Sequence, residues 1–375
     1  MNLTRRPHLL CGAVPFAAAA FVVAVSAVVS VLPSTSFAAD PPVISFDGLV
    51  RLRYEYRSPL DYRLPGSNGR AATDGLGDRG DVALLRSRVG IRALLPSRVK
   101  LHLELQDART MGFEPSTIAN TANVDAHQAY AELDSLGGAP LALQLGRFEM
   151  IYGDARLVGN GDWGNVGRSF DGARLKWRPG VGRVDAFATW LAEGRKGGRD
   201  RLFAGLLAGA SRKREGADWS VDLDGYAFAR DFGDTGFVAE SGVKGNLQDQ
   251  TIGARLRAAN DRAELRVEGA VQNGERVGDD VKAWAFVARA DVVVAKDPRL
   301  KVVAEYATAS GDERVGDGEF NRFDPLYPTT HAPFGYADLF GWSNATDMHA
   351  GVALGPRRGW TFEAAVHRLT LVEPR

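Results

Sequence analysis

Between Val43 and Arg57 the chain reads VISFDGLVRLRYEYR, a run in which every second residue is of one kind. Ile44, Phe46, Gly48, Val50, Leu52, Tyr54 and Tyr56 form an apolar set that ends in aromatics. Ser45, Asp47, Leu49, Arg51, Arg53, Glu55 and Arg57 form a charged one. Successive side chains of a strand point to opposite faces, so the run predicts a strand with one greasy and one charged side. At about 3.3 Å per residue it is long enough to cross a tilted bilayer, whereas strands of soluble proteins usually stop near five or six residues.

The alternation recurs along the chain. Ala83, Leu85, Val89, Ile91, Ala93 and Leu95 share a face opposite Arg86, Arg88 and Arg92. Val99, Leu101, Leu103 and Leu105 oppose Lys100, His102, Glu104 and Gln106. Leu141, Leu143 and Leu145 oppose Gln144; Ala173, Leu175 and Trp177 oppose Arg174 and Lys176. Ile252, Ala254, Leu256 and Ala258 oppose Arg255 and Arg257, and Ala263, Leu265 and Val267 oppose Glu264, Arg266 and Glu268. About fifteen such strands are readable. Short turns such as Pro179-Gly180 and Asn260-Asp261 alternate with long connections at 58–80, 109–123, 154–169, 231–249 and 310–346. Short turns at one rim and long loops at the other predict an all-β, antiparallel, up-and-down transmembrane β-barrel. Aromatics near strand ends, Tyr54, Tyr56, Trp177, Trp190, Trp219 and Trp360, fit interfacial girdles. A secreted sandwich also alternates, but its strands are shorter and its polar face less charged.

The first 38 residues read as a signal peptide: Arg5 and Arg6, an apolar run from Phe16 to Leu32, then Ser36-Phe37-Ala38 before a cleavage near Ala38. The barrel is expected over 39–375. The sole cysteine, Cys11, lies in the leader, so the mature chain has no thiol for a zinc or iron–sulfur site. Without Arg5 and Arg6 the mature charge is about −2, which argues against a nucleic-acid partner. No mature segment has the apolar length of a membrane helix, so crossing requires a closed barrel. The chain ends Leu-Val-Glu-Pro-Arg, a poor closing strand, and the count is odd. The expectation is that roughly two to four closing strands are missing.

Three stretches carry a resemblance. They are LGRFEMIYGDARLVGNGDWGNVGRSFDGARL from Leu145 to Leu175, RFDPLYPTTHAPFGYADLFGWSN from Arg322 to Asn344, and the opening strand with Arg51 and Arg53. Together they resemble the alginate-export family of outer-membrane porins. The resemblance implies an 18-stranded barrel in the bacterial outer membrane that passes a polyuronate through an Arg/Lys-rich constriction, with periplasmic export components as partners. A polymer with one carboxylate per sugar needs fixed cations at short spacing, and the planar guanidinium suits carboxylate at any relevant pH. The inward candidates are Arg51, Arg53, Arg86, Arg88, Arg92, Arg174, Lys176, Arg255 and Arg257, with Arg147 and Arg168 from the family-like motif. Glu55, Glu104, Asp171 and Glu268 are expected as their lumenal acidic partners. Pro328 and Pro333 exclude a central strand across 327–344, which reads as an inward-folding gate or a packed surface loop.

The rival reading is a general anion-selective or small-solute porin with the same fold. A structural or adhesive surface protein is a third. An enzyme is not expected: the six histidines sit in no nucleophile motif, and neither a cofactor nor a metal is called for by the pattern.

Overall fold

The computed structural model describes residues 22–27, 42–56, 81–95, 98–111, 124–192, 201–213, 218–239, 242–314, 316–329, 331–335, 340–357 and 359–374. The expected cleavage site and the connections at 58–80 and 112–123 lie outside them.

Among the described residues, seventeen strands belong to one sheet. β1 (Val22–Ala27) falls within the expected leader and lies antiparallel on β2 (Val43–Tyr56). From β2 the strands run up and down: β3 (Asp81–Leu94), β4 (Val99–Met111), β5 (Asp125–Leu133), β6 (Leu141–Phe148), β7 (Phe170–Trp177) and β8 (Gly182–Ala192). β9 (Arg201–Lys213), β10 (Ser220–Val238), β11 (Lys244–Ala259), β12 (Ala263–Arg276), β13 (Asp279–Lys296) and β14 (Arg299–Ala309) continue the series. A two-residue strand, β15 (Glu319–Phe320), touches β13 in parallel, and β16 (Ala345–Arg357) and β17 (Trp360–Leu371) follow. Each long strand pairs antiparallel with the next, β14 passing directly to β16.

The apolar alternation faces outward. Val50, Leu52 and Val89 are more than half exposed, while Arg51, Arg53 and Arg86 on the opposite face are buried. This reverses a soluble protein and is what a lipid solvent requires: greasy side chains outside, backbone groups paired within the ladders. The aromatics form two belts. Trp177, Trp219 and Trp360 lie at the short-turn rim; Tyr54, Tyr56, Trp190 and Trp284 lie at the long-loop rim, all exposed.

One connection differs from expectation. Residues 231–249 are not a long loop. β10 runs on to Val238 and β11 begins at Lys244, with a bulge between Phe232 and Phe237. The Phe232 and Phe237 rings, 5.5 Å apart, supply the packing that extends the hairpin. β17 is the edge of the described ladder: its partner is β16, and it is exposed on both faces, His367 being the half-buried exception.

Candidate functional site: an arginine cluster under a folded-in plug

Two long-rim connections fold into the barrel and meet there. The first is 149–169, between β6 and β7; the second is 310–344, between β14 and β16, which includes a single helical turn, α1 (His331–Phe334). They join as a short parallel bridge at Val158 and Tyr327. Gly159 N donates to the Tyr327 carbonyl (2.9 Å), Tyr327 N to the Leu157 carbonyl (2.8 Å) and Thr329 N to the Ala155 carbonyl (2.8 Å). Arg168 clamps the junction through Nη1, which donates to the carbonyls of Tyr327 (2.6 Å), Gly159 (3.0 Å) and Pro328 (3.2 Å). Burial pushes the Arg168 guanidinium down from its ordinary value, since its partners are neutral carbonyls rather than acids.

The pair of connections packs as a core inside the barrel. Met150, Leu157 and Val158 from the first and Phe323, Phe334 and Trp342 from the second are buried against inward aromatics and small residues of the wall. Phe187, Phe203 and Phe228 form the aromatic side, and Ala270, Ala283, Ala285 and Ala307 leave room elsewhere. Phe203 lies 4.7 Å from the Tyr327 ring and 5.0 Å from Phe187. Arg156 reaches the opposite wall, where Nη2 meets Glu305 Oε1 at 2.6 Å with both side chains buried.

On the β2–β3 side the plug meets arginines. Arg51 Nη1 donates to the Asp162 carbonyl (2.7 Å) and Nη2 to the carbonyls of Gly164 (2.8 Å) and Trp163 (3.3 Å). Arg53 donates to the Trp163 carbonyl and holds Glu55 at 2.6 Å. Its guanidinium lies 4.2 Å over the Trp163 ring, whose other neighbour is the His331 imidazole, stacked at 3.7 Å. Arg86 binds the plug three times, Nη1 to the carbonyls of Asp162 (3.1 Å) and Gly164 (3.3 Å) and Nη2 to the Asp162 carboxylate (2.8 Å). Arg88 stands between acids: Asp162 at 3.4 Å, Glu104 and Glu149 each at 3.6 Å. Gly167, at φ +81°, allows this approach, because a Cβ there would stand 3.0 Å from Arg88 Nη2.

Behind this contact, Glu149 accepts from His127 Nε2 (2.7 Å) and Asn160 Nδ2 (3.0 Å). Burial alone would raise the Glu149 carboxyl; the two hydrogen bonds and the Arg88 charge outweigh it and hold the group below the ordinary carboxylate range.

The remaining sequence-predicted residues fall around this centre. Arg255 holds Asp154 of the plug at 2.7 Å, and Gly153 (φ +57°) clears its side chain. Arg174 pairs with Asp185, Lys176 with Glu132, and Arg257 with both Asp222 (3.0 Å) and Glu264 (2.9 Å). Arg92 sits near the short-turn rim with Asp47 at 3.1 Å. Glu268 is buried and accepts from the Tyr226 hydroxyl (2.9 Å). Arg147 and Asp171, expected in the lumen, lie on the other face. They oppose each other across β6 and β7 in register with Leu145, Leu175 and Trp177, the exposed set. There they form a bidentate pair at 2.7 and 2.8 Å at the long-loop rim. Strand parity decides this: Arg147 is two residues beyond Leu145, and Asp171 two before Ala173. Asp162, Trp163, Glu149 and Asp154 were not among the expected site residues, although Asp162 and Trp163 lie within the Gly-Asp-Trp-Gly run of the motif.

The sequence profile of alginate export proteins matches residues 43–374. The chain belongs to the alginate export family. It is accordingly an outer-membrane barrel of the porin and export-channel kind. A comparison with curated proteins finds no match. Among solved structures, a BenF-like porin from Pseudomonas fluorescens Pf-5 is 12% identical, with 93% of this chain and 85% of that one covered and a TM-score of 0.47. OmpT of Vibrio cholerae is 11% identical over 90% of both chains (TM-score 0.46). OccK9 of Pseudomonas aeruginosa is 13% identical, covering 88% of this chain and 94% of its own (TM-score 0.45).

Proposed function

We propose that this alginate export family member passes an anionic polysaccharide such as alginate across the outer membrane, with the arginine cluster as its carboxylate-binding station and the plug as its gate. The observation that carries the reading is the Asp162 carboxylate, which meets Arg86 Nη2 at 2.8 Å and Arg88 Nη1 at 3.4 Å while its chain carbonyls occupy Arg51. A loop carboxylate and carbonyl oxygens fill the places a uronate carboxylate and hydroxyls would take. Half of the Asp162 side chain is exposed, so an incoming carboxylate can exchange with it. Exchange of one anion for another lets binding be favourable and still reversible, as conduction requires. The family's substrate class agrees in charge with this station.

A second reading, a general anion-selective or small-solute porin, draws on the balance of charge elsewhere. Arg174, Arg230 and Arg257 each stand against a carboxylate, and paired charges attract a polyanion weakly.

Planar-bilayer recording with the full chain separates the two. The export reading expects anion preference and block by oligouronates that strengthens with chain length, with no block by neutral oligosaccharides. Replacing Asp162→Asn removes the internal competitor. A half-exposed ion pair contributes about 1 kcal/mol, so block should tighten about fivefold. Cation preference would sink both readings. Anion preference with block independent of oligomer length would leave the general porin.

A further inference from the structure

Away from the arginine cluster, three ligand-type side chains converge on the inner face of the last hairpin. His349 of β16 and His367 of β17 are directly opposed in the ladder, and Asp347 precedes His349 by two residues on the same face. The Nδ1 atoms of both imidazoles point at the Asp347 carboxylate at 3.1 Å, and the rings lie 4.5 Å apart. One donor atom from each residue lies within 4.8 Å of the other two. Asp347 is 1% exposed and His349 is buried.

Two features separate this cluster from an ordinary lumenal ion pair. Three other buried inward carboxylates meet permanent cations: Asp185 meets Arg174, Asp249 meets Arg230 and Glu305 meets Arg156. Asp347 is met by two imidazoles, whose charge depends on a proton. The spacing also suits a metal. In a tetrahedral site with ligand bonds of about 2.0–2.2 Å, neighbouring donor atoms stand roughly 3.3–3.5 Å apart, close to the Asp–His contacts already present. Gly335 of the plug lies beside His367, since a Cβ there would stand 3.7 Å from Nε2.

We propose that Asp347, His349 and His367 form a binding site for one divalent transition-metal ion of the zinc class. Two imidazoles and a carboxylate are the donors that suit zinc, cobalt and nickel over calcium or magnesium. A fourth position is left for water. The ion supplies the fixed positive charge that Asp347 otherwise lacks and ties β17, the exposed edge strand, to β16.

The test uses the full chain folded in detergent micelles and stripped with EDTA. Co²⁺ is added as a spectroscopic probe and Zn²⁺ is followed by calorimetry. The expected result is one equivalent of Co²⁺ giving tetrahedral d–d absorption without a thiolate charge-transfer band, which excludes Cys11, and displacement by Zn²⁺. His367→Ala and Asp347→Asn should each weaken binding at least tenfold. Zinc at a hundredfold excess over its Kd should raise the melting temperature of the parent and of neither variant. Should a variant fail to fold, the parent's spectrum and stoichiometry still decide. Absence of d–d absorption in the folded parent, or binding unchanged in folded variants, would overturn the proposal.

Discussion

Arg51→Ala should unlatch the plug. Arg51 makes two short charge-assisted bonds to plug carbonyls, at 2.7 and 2.8 Å, and a longer one at 3.3 Å. Bonds to a charged donor contribute about 1.5–3 kcal/mol each. Two effects reduce the loss. Lumenal water can solvate the released carbonyls, and the cluster sheds one of its mutually repelling charges, since Arg53 and Arg86 both act on Arg51. A net loss of about 2–3 kcal/mol remains, which raises the undocked fraction roughly 30- to 150-fold. Single-channel recording reads this as higher occupancy of the large-conductance state. Limited proteolysis at residues 149–169 reads it independently. Arg51→Lys keeps the charge but not the fork and should fall between the parent and Arg51→Ala. Parental conductance together with parental protease protection in Arg51→Ala would refute the claim that this arginine holds the plug.

Three further outcomes follow from the same contacts. The Glu149 carboxyl is depressed in the folded plug, so its contribution is present above the ordinary carboxylate range and is lost as pH falls through the folded value. The plug should therefore loosen as pH falls below the ordinary carboxylate range, and Glu149→Gln should flatten that step in pH-dependent conductance. His127, Asn160 and Arg88 are the groups facing Glu149, and each variant needs this arm intact. Phe203→Ala removes a fully buried ring between the wall and Tyr327 and should cost about 3–5 kcal/mol of plug packing, seen as a lowered melting transition with barrel strand content retained. Val50→Arg, on the exposed face midway along β2, should cost about 2–4 kcal/mol of insertion stability in a lipid-vesicle folding titration, whereas a charge at Leu49 on the inner face should be tolerated.

The wall was legible in the sequence because a strand has a period. Once Leu52 and Arg53 are assigned to opposite faces, each neighbour follows, and the outward placement of Val50 and Val89 needs no tertiary information. Arg147 and Asp171 show the same rule from the other side. Leu141, Leu143 and Leu145 already assign Arg147 to the outer face; a motif-level expectation overrode the alternation, and the alternation holds. The plug was not legible because connections have no period. Asp162 reaches Arg86 across 76 positions, a contact that arises only when the wall curves round to present it. The extension of β10 to Val238 escaped for a related reason: Gly233, Asp234 and Gly236 read as a loop, while Phe232 and Phe237 pack as a hairpin.

The bridge between Val158 and Tyr327 also bears on the order in which the molecule assembles. Its supporting bond from Gly161 to Thr329 closes a loop of 168 positions, whereas the wall hairpins close over far shorter spans, the longest joining Ala309 to Ala345. Ring closure that long is entropically late, and its two halves have no surface to pack on until the wall exists. The expected order is therefore wall first and plug second. Any delay in that last step leaves a leaky pore in the envelope, and newly inserted molecules should be more permeable than aged ones.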